Sequence, residues 1–350
     1  MADEHCNSVL HICAKTPMAS TQYCNIDANI HIATRPKPCE ERRMARPALS
    51  AARALEIIDL MAASPKQAFT MSELVQQTGT NIASMHAILA VLVQHGHLTR
   101  HPTHKTYRLA PALFAIGEAM AQHDPLLTSS RAAAGGLAEA TGQEVVLTGR
   151  AGEDIICLAR FASSRTPQFS MRVGERVPLR PPLGGTFCAW MSEEEIDQWL
   201  ARRGPGDSSP ELDVQDRASL QIVRDRGYIV VAKSPPQQAL GTAFALAGRE
   251  SALEPRQVDA LIADLYGGGS YQIHDIVPEL SYDLSAISAP IFDAHGQAIY
   301  ALSLGGHRTA ITGAEVENLA RQVTDACAAV MRENDVRMPG VMPERRIRQR

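Results

Sequence analysis

The chain has no apolar stretch long enough to cross a membrane. A membrane-spanning helix needs roughly 20 predominantly apolar residues in succession, and no run in the 350 residues approaches that length. The N-terminus also lacks the basic start and hydrophobic core of a secretory signal peptide. We therefore expect a cytosolic protein with no membrane partner.

The sequence also lacks the patterns of common metal and phosphate sites. Its seven cysteines contain no Cys-x-x-Cys pair and match no zinc spacing. The glycines at 267–269 are followed by neither Lys-Ser nor Lys-Thr, which a phosphate-binding loop requires. We expect free thiols, no metal site and no cofactor.

The two ends of the chain differ from the rest. Residues 1–44 hold four of the cysteines and show no sustained periodicity, so we expect a disordered extension. Met44 resembles an ordinary start just before the first helix. We expect a disordered basic tail at 334–350. A metal or redox role in the extension is the disfavoured alternative, and its residues would be His5, Cys6, His11 and Cys13.

Charge is distributed unevenly along the chain, although the net charge is only −4. Between residues 42 and 109, eight Lys or Arg face three Asp or Glu, which gives +5 there and −9 in the remainder. Neutralisation of phosphate charge supplies most non-specific affinity for DNA. The length allows two or three domains, so we expect a nucleic-acid-binding domain joined to a body with another role.

Residues 45–110 have the order of elements of a winged helix-turn-helix. The first helix, SAARALEIIDLMAAS, repeats apolar residues at helical spacing. Thr70 and Glu73 predict a capping box at the start of the second helix, and Gly79 predicts the turn that ends it. The apolar positions of the first helix are Leu55, Ile58, Leu60 and Met61.

The third helix and the hairpin after it predict the DNA contacts. A helix with one apolar stripe and a polar outer face can lie in a major groove, and a basic hairpin tip at 101–105 suits phosphate contact. A small helical domain used for protein contacts is the alternative. The stripe is Met85, Ile88, Leu89 and Leu92. The expected DNA-binding residues are Arg46, Thr70, Asn81, Ser84, His86, Ala87, His104 and Lys105.

A linker helix at 111–124 and a second domain at 125–333 follow. Apolar residues of the linker, Leu113, Ile116 and Met120, are expected to pack on the DNA-binding domain or on a second subunit. Short strands alternate with helices in the second domain, which predicts an antiparallel α+β architecture. The predicted strands are EVVLTG, DIICLAR, FSMRV, YIVVA, SAISAPIFD and AIYALSL. The predicted helices begin near Pro125, Ser192, Val214, Leu253 and Thr312.

This succession of motifs resembles the IclR family of bacterial transcription regulators over residues 45–333. The segments that carry the resemblance are RALEIIDLMA, SELVQQTG, YRLAP, ERVPLRPPLG, RDRGY and ISAPIFDAHGQAIYALSL. The resemblance implies a winged helix-turn-helix that binds double-stranded operator DNA, and a linker helix that helps dimerisation. It also implies a GAF-like domain that binds a small effector, in homodimers or homotetramers without enzymatic activity.

The third helix departs from the family's recognition helix. Family members commonly carry an arginine at the position of Ala87, and a Ser-Thr pair where this chain has Ala83 and Ser84. Loss of one bidentate arginine contact removes about 1 to 3 kcal/mol of discrimination between bases. Base readout would then rest on Asn81, Ser84 and His86, with Gln94 as a further candidate. The alternative function is a small-molecule sensor or interaction protein of this fold with weakened DNA recognition.

The resemblance also implies the effector site. The family's effector loop corresponds to 179–187, and the chain is longer than the family's common pattern between Tyr228 and Pro290. Asp275 and Asp283 are both candidates for its acidic ligand. The expected effector residues are Leu179, Leu183, Gly184, Gly185, Thr186, Asp283, Ser288, Ser303 and Gly305. Apolar walls are expected from Phe187, Trp190, Ile287 and Leu302. Such a lining suits a small organic acid or an aromatic compound.

Cys188 suggests one enzymatic interpretation of the sequence. Cys188 follows two glycines and could act as a nucleophile if His274 or His307 lay beside it as a base. The sequence spacing does not bring these residues together, and a cysteine is commonly buried in the core. We therefore expect no catalytic residue.

Overall fold

A computed structural model describes residues 48–162, 171–204, 209–247, 255–267, 271–307, 309–337 and 339. The N-terminal part has the predicted order of three helices and a hairpin. Its elements are α1 (Leu49–Ala63), α2 (Met71–Thr78), α3 (Ile82–Gln94), β1 (Leu98–Arg100) and β2 (Tyr107–Leu109). The winged helix-turn-helix predicted from the sequence is confirmed.

Local side-chain contacts begin and end the helices as the sequence predicts. The Thr70 hydroxyl accepts a hydrogen bond from the Glu73 amide, and the Glu73 carboxylate accepts one from the Thr70 amide at 2.6 Å. Gly79 ends α2 with φ +61°, a left-handed conformation that suits glycine. Asn81 caps α3, because its Oδ1 accepts a hydrogen bond from the Ser84 amide at 2.8 Å.

The three helices and the hairpin enclose a small apolar core. It confirms most of the predicted stripe of α3, but it corrects the stripe of α1. Leu55 is 64% exposed, and Ile57 is fully buried beside Met61. Successive residues of a helix are rotated by about 100°, so Leu55 lies on the side opposite Ile57. The buried core residues are Ile57, Met61, Phe69, Leu74, Met85, Leu89, Leu92, Leu98 and Tyr107.

Two further helices lead to the second domain, α4 (Pro111–His123) and α5 (Pro125–Thr141). None of the residues of α4 is buried in the described chain. Ile116 and Met120 remain 56% and 44% exposed, and Phe114 is 72% exposed. The described chain therefore covers these side chains only in part, and the expected packing of α4 on the DNA-binding domain or on a second subunit stays a prediction.

The second domain is built on a six-stranded antiparallel sheet, which confirms the predicted α+β class. The strand order is β5-β4-β3-β9-β8-β6. The strands are β3 (Glu144–Ala151), β4 (Asp154–Phe161), β5 (Arg176–Pro178), β6 (Ile229–Ala232), β8 (Leu284–Phe292) and β9 (Ala298–Gly305). A separate pair is formed by β7 (Ser281–Tyr282) and β10 (Ile311–Thr312).

The predicted strand FSMRV at 169–173 needs correction. Residues 169 and 170 lie outside the described residues, and residues 171–173 form no strand. The strand in this region is β5, which begins at Arg176. Gly174 has φ +84°, so the chain turns there and cannot continue the extended run.

Helices cover both faces of the sheet. α5 packs against one face, where the Tyr300 hydroxyl donates a hydrogen bond to Asp124 at the start of α5. The closing helix lies beside α5 and begins at the predicted position, with a capping box of Thr312 and Glu315. The remaining helices are α6 (Gly185–Cys188), α7 (Glu193–Leu200), α8 (Pro210–Arg226), α9 (Pro235–Ala247), α10 (Pro255–Gly267) and α11 (Gly313–Glu333).

The segment between β6 and β8 adds a pair of helices, of which the sequence predicted only α10. The start of α9 follows Ser234, whose hydroxyl accepts a hydrogen bond from the Gln237 amide at 3.3 Å. The Ser-Pro-Pro start is a signal of a helix N-terminus that could have predicted α9. Leu240 of α9 packs with Ile262 and Leu265 of α10 and with Leu183. Among the described helices, none combines the length and the apolar character that a membrane crossing needs.

Candidate functional site

The outer face of α3 presents the residues predicted to read DNA. Asn81, Ser84, His86 and Ala87 are exposed, whereas Met85 faces the core. The side-chain carbonyl of Asn81 is already used by the helix cap, which leaves its amide group to donate hydrogen bonds outward. This face therefore offers an amide, a hydroxyl and an imidazole to a ligand in front of it.

Positive charge near α3 comes from other elements, because the helix itself contains no Lys or Arg. The Arg53 guanidinium of α1 is engaged within the domain, since it donates to the Thr78 carbonyl and pairs with Glu56 at 3.3 Å. The hairpin that follows α3 carries exposed cations. They are Arg100, Lys105 and Arg108.

The remaining predicted DNA-binding residues have different surroundings. His104 and Lys105 are exposed at the tip of the hairpin, as predicted. The Thr70 hydroxyl donates to the Glu73 carboxylate at 2.8 Å, so it serves the helix cap rather than an open surface. Arg46 lies outside the described residues.

The sheet face opposite α5 carries a cavity of about 970 Å³, including its open mouth. Its floor is formed by β3, β8 and β9, and its walls are α6, α9 and the segment before β5. The side chains and glycines that line it are Thr148, Ile155, Met171, Glu175, Val177, Leu183, Gly184, Gly185, Thr186, Phe187, Ile229, Val231, Gln237, Leu240, Gly241, Tyr271, Ser285, Ala286, Ser288, Ala301 and Ser303.

Hydroxyl groups are concentrated on the floor of the cavity. Ser288 and Ser303 face each other on paired strands, and their Oγ atoms are 2.6 Å apart. On the α9 side, the Gln237 side-chain amide donates to the Ser285 Oγ at 2.8 Å. These pairs place several hydrogen-bond donors and acceptors in an otherwise apolar cavity. Small-molecule sites in proteins commonly combine apolar walls with a few such polar groups.

Glu175 supplies the negative charge of the cavity. It is 8% exposed, and one of its carboxylate oxygens accepts a hydrogen bond from the Arg172 amide at 2.8 Å. Burial raises the pKa of this carboxyl above its ordinary value, against the lowering influence of Arg172 and Arg160. Among the described residues that line the cavity there is no Lys, Arg or His. The cavity therefore offers an acidic group and neutral hydrogen-bonding groups.

Most of the predicted effector residues come together in this cavity. Those that line it are Leu183, Gly184, Gly185, Thr186, Ser288 and Ser303, and the predicted wall residue Phe187 lines it too. The cavity also recruits residues that the sequence did not single out. The most polar of these are Thr148, Glu175, Gln237, Tyr271 and Ser285.

Three predicted effector residues lie outside the lining. Leu179 is buried behind Gly184, and a Cβ on Gly184 would collide with its side chain. Asp283 is 55% exposed and pairs with Lys233 at 3.6 Å. Gly305 ends β9 beyond the cavity. The alternative acid, Asp275, is exposed and also lies outside it.

Three predicted wall residues are also misplaced. Ile287 and Leu302 alternate with Ser288 and Ser303 along their strands, so their side chains point to the opposite face of the sheet. Trp190 packs edge-on against Phe292, with ring centroids 5.0 Å apart. The sequence pattern identified the right strands but included residues from both faces.

The nucleophile interpretation of Cys188 is not supported by its surroundings. The thiol is fully buried, and burial raises its pKa to about 12. His274 instead shares a hydrogen bond with Ser219 at 3.1 Å. A protonated, buried thiol is a poor nucleophile.

A winged helix-turn-helix joined to an α+β domain with a small-molecule cavity defines a class of DNA-binding regulators. The model of the IclR helix-turn-helix domain matches residues 50–102, and the model of the bacterial transcriptional regulator IclR C-terminal domain matches residues 277–332. The chain therefore carries the helix-turn-helix domain and the C-terminal domain of the IclR family of DNA-binding transcriptional regulators. This family consists of regulators rather than enzymes, as the resemblance implied.

The chain is also similar to individual proteins in sequence or in fold. The chain is 23% identical over 270 residues to the Pca regulon regulatory protein of Pseudomonas putida, and the match covers 77% of each chain. An IclR regulator from Alicyclobacillus acidocaldarius has a similar fold, with TM-score 0.58, 18% identity and coverage of 81% of this chain and 98% of that one. An IclR homologue of Microbacterium hydrocarbonoxydans, solved with 4-hydroxybenzoate, gives TM-score 0.52, 17% identity and coverage of 80% and 97%.

Proposed function

We propose that this protein is a ligand-responsive regulator whose cavity binds a small organic molecule and thereby changes its affinity for operator DNA. The observation that carries the proposal is the cavity, which combines apolar walls with paired hydroxyls and one buried carboxylate. By linkage, a ligand that changes DNA affinity must have its own affinity changed by DNA by the same factor.

The DNA-binding face would combine weak base readout with phosphate contacts from the hairpin. Exposed Asn81, Ser84 and His86 support base contacts, and the cations of β1, β2 and the tip support phosphate contacts. Since α3 carries no cation, much of the affinity would come from the hairpin and from the basic arm around Arg46.

The charge of the cavity favours an uncharged ligand or one that donates hydrogen bonds. A carboxylate ligand would face the Glu175 carboxylate with no Lys, Arg or His among the described lining residues to compensate it. An aromatic or hydroxylated neutral compound would meet apolar walls and serine hydroxyls instead. We therefore revise the expectation of an organic acid towards a neutral compound of similar size.

The assembly would be a homodimer in which α4 packs on its copy. The exposed apolar side chains of α4, Phe114, Ile116 and Met120, support this part of the proposal. A dimer would present two winged helices to two operator half-sites, which is how helix-turn-helix proteins match palindromic DNA.

A thermal-shift assay with a panel of small phenols and polyols tests ligand binding to the cavity. The panel includes a matched pair of probes, 4-hydroxybenzoate and its uncharged analogue 4-hydroxybenzamide. A bound ligand raises the unfolding temperature by mass action. We expect neutral compounds to raise it more than their carboxylates at equal concentration. The shift should shrink in Ser288→Ala and persist in the control Ser72→Ala, whose serine lies on the exposed face of α2.

The link to DNA is tested by fluorescence polarisation with the intergenic duplex upstream of the protein's own gene, across a range of salt. We expect binding that weakens steeply with salt and changes when a stabilising compound is added. No shift with any compound, or no effect of a bound compound on DNA affinity, would reject the proposal. Equal affinity for a scrambled duplex would favour the alternative function with weakened recognition.

A further inference from the structure

One short segment of the second domain contacts both the cavity and the DNA-binding domain. Between β4 and β5 the chain passes through Gly174, Glu175 and Arg176. The Glu175 side chain lines the cavity, whereas both of its neighbours contact α1. The cavity and the winged helix are therefore one residue apart along this segment.

Arg176 connects the two domains by charge. Its guanidinium lies 3.1 Å from the Asp59 carboxylate of α1 and 3.6 Å from the Asp154 carboxylate of β4. Asp59 and Asp154 belong to different domains. Their two negative charges would repel each other if the Arg176 guanidinium did not lie between them. The guanidinium is about one third exposed, and an ion pair that is exposed to solvent contributes little to stability.

Gly174 brings the backbone of the segment against the last turn of α1. A Cβ atom at this position would lie 3.0 Å from the carbonyl carbon and oxygen of Ala62, closer than most Cβ contacts in proteins. Its φ of +84° also favours glycine. The absence of a side chain is therefore what permits this close packing.

Hydrogen bonds make the segment a rigid unit. The Gly174 amide donates to the Cys157 carbonyl at 2.8 Å, and the Cys157 amide donates to the Glu175 carbonyl at 3.0 Å. The Arg172 amide donates to the Glu175 carboxylate at 2.8 Å. A change in the position of the Glu175 side chain would therefore shift the turn that contacts α1.

Helix α1 extends from this contact to the reading helix. Its 15 residues span about 22 Å. Asp59 and Ala62 lie in its C-terminal half, and Arg53 in its N-terminal half donates to the Thr78 carbonyl. Thr78 is the last residue of α2, immediately before the turn into α3. A movement of α1 would therefore reach the base of the reading helix.

We propose that the segment 172–176 couples the cavity to the DNA-binding domain within one protomer, with Glu175 as the sensing group and Gly174 and Arg176 as the contacts on α1. This inference rests on the proposed function, because it requires a cavity ligand that affects DNA binding. A ligand that draws Glu175 into the cavity would change the contacts of Gly174 and Arg176, and α1 would carry that change to α3.

The coupling can be tested without knowing the ligand, because coupling between two sites is reciprocal. Hydrogen exchange is measured in peptides covering 171–178, with and without the upstream duplex at a concentration that saturates its polarisation signal. We expect the duplex to change exchange in this segment by about fivefold or more, at the lower end of typical coupling. In Arg176→Ala and in Asp59→Asn, the duplex should bind but leave the segment unchanged.

The matched control is Arg217→Ala, because Arg217 also bridges two carboxylates, Glu193 and Asp197, on an exposed surface of α7 and α8. It should behave like the wild type. An unchanged segment in the duplex-bound wild type, or an equal change in Arg176→Ala, would overturn the inference. Neither result depends on the thermal-shift assay, so a failure of coupling is distinguished from an absence of ligand binding.

Discussion

Ala87 shows how a single side chain sets what the reading helix can do. It is exposed on α3 between His86 and the half-buried Ile88, at a position from which a longer side chain would extend outward. Alanine offers no hydrogen bond to a base or a phosphate. The winged helix-turn-helix is therefore present, but residue 87 supplies no hydrogen bond to DNA.

Replacing this alanine should strengthen DNA binding. In Ala87→Arg, we expect affinity for the upstream duplex to increase by about 1 to 3 kcal/mol, because arginine can form a bidentate contact with guanine. Fluorescence polarisation measures the change. Ala140→Arg on the exposed face of α5 adds the same charge elsewhere, and equal effects of the two substitutions would show that α3 does not dock in the major groove.

Glu175 should make stability depend on pH. Burial raises its pKa in the folded protein above the ordinary value of 4.5, so the folded state holds the proton more tightly than the unfolded state. Ionisation therefore opposes folding, and the wild type loses stability relative to Glu175→Gln as pH rises from about 4.5 through the raised pKa.

Urea unfolding at a series of pH values measures this difference. We expect Glu175→Gln to match the wild type near pH 4 and to be more stable at pH 7, with Glu118→Gln as the control for loss of a carboxylate. A difference that stays constant over this pH range would contradict the prediction.

At the scale of elements, α10 is held to the rest of the domain by a buried polar cluster. Arg203 is almost fully buried and pairs with Asp216 at 2.6 Å and with Asp213 at 2.8 Å. The Tyr266 hydroxyl of α10 accepts a hydrogen bond from Arg203 and donates one to Asp216 at 2.9 Å. This cluster fixes α10, which in turn supports the α9 wall of the cavity.

Removing that hydroxyl should loosen α10. We expect Tyr266→Phe to lower the free energy of unfolding by about 1 to 3 kcal/mol, because hydrogen bonds to charged groups are lost and their partners stay buried. Hydrogen exchange should accelerate in peptides from α10. Peptides from α5 serve as the internal reference, and equal acceleration in both helices would show that Tyr266 does not act locally.

At the scale of the whole molecule, the apolar face of α4 is the clearest sign of an assembly. Ile116 and Met120 are four residues apart and therefore share one face of the helix. Exposed apolar side chains clustered on one face mark an interaction surface more often than isolated ones do. Their position between the two domains would place a dimer contact beside the DNA-binding heads.

Charge on this face should dissociate the dimer. In the double variant Ile116→Glu and Met120→Glu, we expect a shift from dimer to monomer in sedimentation velocity and weaker binding to the upstream duplex. Val214→Glu provides the control, because Val214 is equally apolar and 68% exposed on α8. An unchanged sedimentation coefficient in the double variant would rule out α4 as the dimer contact.

Features that depend only on neighbouring residues could be predicted from the sequence. The Thr70 capping box, the Gly79 turn and most of the apolar stripe of α3 are local, and they were predicted at the correct residues because they depend on spacings of one or two helical turns. The order of these elements was also sufficient to indicate the winged helix and the family.

The set of side chains that meet in the cavity could not be predicted from local patterns. Glu175 and Gln237 are far from Ser288 in the chain, and no periodicity connects them, whereas Asp283 looked suitable and lies outside. Strand alternation also separated Ile287 from Ser288, although both are in β8. The cavity is formed by contacts between distant segments, and the positions of those segments depend on how the whole domain packs.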